Sequence, residues 1–140
     1  MTGQTLTEDR RKELFQLALD AKEKAYCPYS KFRVGAALLA EDGTMFQGCN
    51  VENASYGGAI CAERTAYVKA VSEGHTRFVA LAAATDEDAF CSPCGICRQF
   101  ISEFGPANMP VYLLNTKGEF TQMTIEELLP YSFSLEKNKQ

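Results

Sequence analysis

Leu14, Leu17, Ala18, Ala21 and Ala25 recur at helical spacing, with polar residues between them. Thr7 can cap this helix, Glu8 and Asp9 suit its first turn, and Cys27-Pro28 stops the run. From there the period changes to two: Phe32, Val34, Ala36, Leu38 and Ala40 alternate with Lys31, Arg33, Gly35 and Ala37. Asp42-Gly43 ahead of Met45-Phe46 is a hairpin signal, so two strands are predicted.

Residues 61 to 73 carry helix formers up to Gly74, which suits the left-handed position past a helix end. Phe78 to Ala84 reads as a buried strand. A further helix begins near Cys94, passes through Arg98, Phe100 and Ile101, and ends at Gly105-Pro106. Val111 to Leu114 is another apolar strand, and the turn from Asn115 to Gly118 permits a fifth from Glu119 to Met123. Thr124 and Glu127 form a capping-box pair ahead of Leu128 and Leu129, which predicts a short last helix before Pro130. This order predicts an α/β fold, a three-layer α/β/α sandwich with a five-stranded mixed sheet, built by residues 1–140 as one domain.

The composition, 46% hydrophobic and 23% charged, is that of an ordinary globular protein. A formal net charge of −4, with no basic run longer than Arg10-Arg11-Lys12, argues against a nucleic-acid partner. No stretch approaches the roughly 20 apolar residues of a membrane span. The opening residues, Thr2, Gly3 and Gln4 included, form no apolar signal region, so a cytoplasmic location is expected. In such a reducing compartment the six cysteines are thiols or thiolates, available to metal or to reaction.

Cys94 and Cys97 in Pro93-Cys94-Gly95-Ile96-Cys97 are spaced to converge on one tetrahedral zinc at the first turn of a helix. Alone, the pair fits equally a thioredoxin-like dithiol, a zinc-binding module or two buried thiols. Cys61-Ala62-Glu63 changes the balance, because it too sits at a predicted helix start, where partial positive charge stabilises a thiolate. Three protein ligands leave one coordination position for water, as a catalytic zinc requires and a closed four-ligand module does not. Glu63 is then placed to move that water's proton. Three thiolates leave a net negative centre, which a guanidinium donating to sulfur would offset; Arg64 is the first candidate and Arg98 the second. Cys91 is also three residues from Cys94 but precedes Pro93 and is expected in a loop, while His75, the single histidine, is expected as a solvated loop residue.

These residues resemble the cytidine deaminase family, in particular its small homotetrameric type with a three-cysteine zinc site. The signature shared by zinc deaminases, a His or Cys ligand, a nonligand Glu and Pro-Cys-x-x-Cys, is matched by Cys61-Ala62-Glu63 and Pro93-Cys94-Gly95-Ile96-Cys97. The resemblance runs from Tyr29-Ser30-Lys31-Phe32 to Leu128-Leu129-Pro130 and includes Phe32-Arg33-Val34-Gly35-Ala36-Ala37 and Gly48-Cys49-Asn50-Val51-Glu52-Asn53-Ala54-Ser55-Tyr56.

It implies one Zn2+ per subunit on Cys61, Cys94 and Cys97, with zinc-activated water attacking C4 of cytidine or 2′-deoxycytidine and Glu63 as proton shuttle. It implies that Asn50 and Glu52 bind the ribose 3′-hydroxyl, that Phe32 stacks near the base and that Ala62 offers it backbone groups. Tyr56 is implied at an intersubunit site, and Phe133 closes a neighbour's pocket, giving a homotetramer in pyrimidine salvage. A nucleoside antibiotic as substrate is the nearest rival, and the acidic balance disfavours a polynucleotide-editing enzyme.

Overall fold

A computed structural model of the chain describes residues 6–135; the opening segment read above for a signal region, residues 2–4, lies outside it. The first helix, α1, spans Glu8–Lys22, and Thr7 caps it by accepting from the Arg10 amide at 3.1 Å. It stops short of the expected Cys27-Pro28 boundary. Tyr26 is needed elsewhere: its amide donates to the Asn50 carbonyl at 2.9 Å and its carbonyl accepts from the Glu52 amide at 2.8 Å. A short non-local bridge therefore overrides the helical run, and Ala25 falls outside α1.

The five strands are β1 (Val34–Ala40), β2 (Met45–Cys49), β3 (Phe78–Thr85), β4 (Pro110–Leu114) and β5 (Phe120–Thr124). They form one sheet in the order β2-β1-β3-β4-β5, in which only β3 and β4 run parallel. The helix α2 (Ala62–Ser72) joins β2 to β3, α3 (Gly95–Phe104) crosses from β3 to β4, and α4 (Ile125–Leu128) follows β5 behind the expected Thr124/Glu127 capping box. Phe32 and Arg33, expected in the first strand, precede it. There the Asn50 side chain takes the part of a strand partner, accepting from the Val34 amide at 2.9 Å and donating to the Phe32 carbonyl at 2.8 Å.

Helices cover both faces of the sheet. On one face Leu14 and Ala18 of α1 pack on Ala37, Leu39, Ala80, Ala82, Ala84 and Leu114. On the other, Ala66, Tyr67 and Ala70 of α2 and Ile101 of α3 pack on Ala36, Leu38, Leu81, Val111 and Leu113. Covered on both sides, the central strands β1 and β3 carry an almost unbroken apolar run, as burial on two faces demands. Their alanines let the layers approach closely. At two glycines the approach is closer than any side chain permits: a Cβ on Gly35 would run into the α1 backbone at Ala18 and Lys22, and one on Gly48 into the α2 backbone at Ala62 and Ala66. The second contact fixes the first turn of α2, where Cys61 and Glu63 sit. No helix among the described residues is long and apolar enough to cross a membrane.

Candidate active site

Two helices begin side by side. Cys61 and Cys94 occupy the N-cap positions of α2 and α3, both in extended backbone, and neither sulfur caps its own helix. Cys97 lies in the first turn of α3 and is fully buried. The three Sγ atoms fall within 4.8 Å of one another, with Cys61 and Cys94 at 3.8 Å. Sulfurs about 2.3 Å from one tetrahedral zinc stand about 3.8 Å apart, so this donor set suits a soft divalent cation in both spacing and chemistry.

The electrostatics follow from the same convergence. The hydrogen bond from Cys97, with those from Arg64 and Cys94, holds the Cys61 thiol well below its usual range against the effect of burial. The same bond with Cys61, followed by burial and the charge of Glu63, pushes Cys97 up. Arg64 Nη2 donates to Cys61 Sγ at 3.7 Å. Glu63, 6% exposed, is raised to about 7, chiefly by burial, with the Cys61 charge adding to it. A carboxyl near 7 beside an open cation site can both accept and return a proton.

Arg98 does not reach the sulfurs. Its Nε donates to the Pro93 carbonyl at 2.8 Å, Nη1 to the Leu128 carbonyl at 2.7 Å and Nη2 to Ser92 Oγ at 2.6 Å. The guanidinium thus braces the loop before Cys94 against the end of α4, a direction that depends on tertiary packing and not on its neighbour in sequence. Cys91 stays apart, its thiol on the Ala89 carbonyl at 3.8 Å, and Cys49 donates to the Lys24 carbonyl at 3.4 Å. His75 is more than a solvated loop residue: its Nε2 is 3.1 Å from Asp42 Oδ2 and its ring packs on Phe46 at 4.9 Å.

Beside the sulfurs runs the segment after β2. Val51 bridges Ile60 in antiparallel fashion and Tyr26 in parallel, so Asn50 and Glu52 flank the rung next to Cys61. Glu52 Oε1 accepts from the amides of Tyr29 at 3.0 Å and Ser30 at 3.1 Å, and Oε2 accepts from Ser30 Oγ. These bonds, led by that from the Ser30 hydroxyl, hold its carboxyl below the usual range against desolvation. Tyr29, Ser30, Glu52, Asn53, Tyr56 and Ala59 line a cleft of about 400 Å3. Tyr56 opens into it from the turn Tyr56–Gly58 and is 82% exposed.

Phe32 is half-buried and follows the cleft's Tyr29 and Ser30 in sequence without itself lining the cleft. Ala62, the first residue of α2, is buried, and its amide is among those that an α-helix leaves without an internal acceptor. Phe133 does not line the cleft of its own chain; it is 68% exposed, with its carbonyl accepting from Gln99 Nε2 at 3.1 Å. Sequence reasoning assigned no role to Ser30 or Tyr29, although both lie in the Tyr29-Ser30-Lys31-Phe32 run it singled out. A serine two residues before an aromatic at a strand entry was the available signal.

Residues 8–113 match the family described as the cytidine and deoxycytidylate deaminase zinc-binding region. The chain is 58% identical over 116 residues to a cytidine deaminase of Sporosarcina psychrophila, covering 83% of this chain and 85% of that one. It is 50% identical over 126 residues to a cytidine deaminase of Halalkalibacterium halodurans, covering 90% and 96%. The crystal structure of a cytidine deaminase from Burkholderia pseudomallei superposes with a TM-score of 0.84 at 45% identity, over 87% of this chain and 98% of that chain.

Proposed function

The chain belongs to the cytidine deaminase family, and from that premise we propose that it hydrolyses free cytidine and 2′-deoxycytidine to uridine and 2′-deoxyuridine, releasing ammonia. The observation that carries the reading is the meeting of three sulfurs and one buried carboxyl at two helix N-termini. Cys61, Cys94 and Cys97 would hold zinc, which when bound supplies a Lewis acid and lowers the pKa of water to about 7.

The chain's own groups do the rest. Glu63 takes one proton from the attacking water and delivers it to N3 of the cytosine ring, then takes the second from the new C4 hydroxyl and delivers it to the amine, which leaves as ammonia as the C4 carbonyl forms. Burial suits it to both transfers, since its carboxyl is poised at about 7. Arg64 offsets the negative charge of the sulfurs through its bond to Cys61, which would keep a bound metal an effective electrophile. The helix N-termini add partial positive charge at the same point.

Recognition falls to the segment beside the metal. Asn50 spends one N–H on the Phe32 carbonyl and keeps its second for the ribose 3′-hydroxyl, which Glu52 accepts from the other side. The Asn50 side chain, donating to the Phe32 carbonyl, fixes Phe32 for stacking on the base, and the Ala62 amide is free to meet the base. Tyr56 and Phe133, both exposed on one chain, fit a homotetramer with active sites between subunits, Phe133 closing the cleft of a neighbour. The exposure of Tyr131 and Leu135 nearby supports the same assembly. The six unpaired cysteines suit a cytoplasmic enzyme of pyrimidine salvage.

The test is the loss of cytidine absorbance with the purified protein, alongside zinc quantified per chain. About one zinc per chain with turnover of both nucleosides is expected. Glu63→Gln should keep the zinc and lose on the order of 10^2 to 10^4 in kcat. Zinc-loaded protein that leaves both nucleosides untouched would overturn the substrate reading.

A further inference from the structure

Ser30 links the two halves of the recognition segment through a single oxygen. Its Oγ accepts from the Phe32 amide at 3.0 Å and lies on Glu52 Oε2. A hydroxyl has one hydrogen, and an amide can only donate, so the direction of the chain is settled: Phe32 N–H to Ser30 Oγ, Ser30 O–H to Glu52. Glu52 receives two further donors from the amides of Tyr29 and Ser30. Three donors on one carboxylate leave it charged and leave its remaining lone pairs able only to accept.

Those lone pairs face a cleft that Ser30, Glu52 and Tyr56 line together. A group entering there meets an acceptor with a full negative charge. A sugar hydroxyl can donate to it. A phosphate ester is itself anionic at neutral pH and is repelled.

We propose that Ser30 is a positioning residue that fixes Glu52 as a pure hydrogen-bond acceptor, so that the site takes a free 3′-hydroxyl and rejects a 3′-phosphate. This rests on the reading of Glu52 as the sugar contact. It carries specificity against nucleotides joined or phosphorylated at the 3′ position, by a device separate from the net charge of the chain.

The experiment compares Ser30→Ala with the parent on three probes, cytidine, 3′-deoxycytidine and cytidine 3′-monophosphate. Ser30→Ala is expected to raise KM for cytidine about tenfold, with kcat within about twofold, the size of one charge-assisted hydrogen bond. KM for 3′-deoxycytidine, which lacks the hydroxyl that Glu52 would accept from, should be the same within about twofold in both proteins. Ser30→Thr, which keeps the hydroxyl, should return the cytidine KM toward that of the parent. Equal losses on cytidine and 3′-deoxycytidine, or no change on cytidine, would overturn the proposal. So would parent turnover of cytidine 3′-monophosphate at a rate comparable to cytidine, a measurement that needs no variant to fold. A parent inactive on cytidine itself would overturn the underlying reading as well, and that failure is seen before any variant is made.

Discussion

Asp86 gathers three elements at the end of β3. Its carboxylate is bidentate to Arg33, with Nε and Nη2 both at 3.0 Å, takes the Arg33 amide at 3.1 Å, and pairs with Lys22 Nζ at 3.2 Å. The Arg33 hydrogen bond is the main reason its pKa falls from 3.8 to about 2, with Lys22 adding to it. A depressed carboxyl contributes stability that is complete above its unfolded value and is lost as pH falls toward the folded one. The protein should therefore lose on the order of 1 kcal/mol between about pH 4 and pH 2 from this group, discounted for its partial exposure. Chemical denaturation at several pH values would show it, and Asp86→Asn should flatten that part of the curve; an unchanged acid limb in the variant would count against the assignment. Side-chain partnerships of this kind were not legible in the sequence, because Lys22, Arg33 and Asp86 come from distant segments. Arg98 taught the same lesson, since adjacency to Cys97 suggested a sulfur partner and packing turned it to backbone carbonyls. The cysteines were legible because their positions are set locally, by spacing and by helix starts.

Among the helices and strands, the close seating of α2 on β2 makes the sharpest prediction. Gly48→Ala must push β2 and the first turn of α2 apart, since the added methyl meets backbone that cannot rotate away. An overpacking cost of about 1–3 kcal/mol is expected, together with weaker zinc retention because Cys61 heads that turn; equal stability and equal zinc release to a chelator would refute it. Strand and helix identities followed from periodicity, the Asp42-Gly43 turn and the Thr124/Glu127 box. Boundaries were less legible where one segment serves another. The early end of α1 answers to the Tyr26 bridge, and the late start of β1 answers to the Asn50 side chain. Neither partner is visible within the window from which a period is read.

At the scale of the assembly, the proposed tetramer predicts a sedimentation mass about four times the 15.4 kDa of one chain, and a monomer in solution would remove the shared active site from the proposal. Synthesis adds a property of the whole chain. Cys61 and Cys94 are 33 residues apart, and all of β3 is threaded between the two helix starts that carry them. A ribosome adding about 5–20 residues per second delivers the first sulfur roughly 2–7 s before the second. During that interval a nascent chain has half a site, and the half cannot close until β3 has entered the sheet and α3 has turned back across it. If the site holds zinc as proposed, capture by all three sulfurs is thereby a late event in the life of the molecule, and a loaded site would mark a chain synthesised and folded through α3.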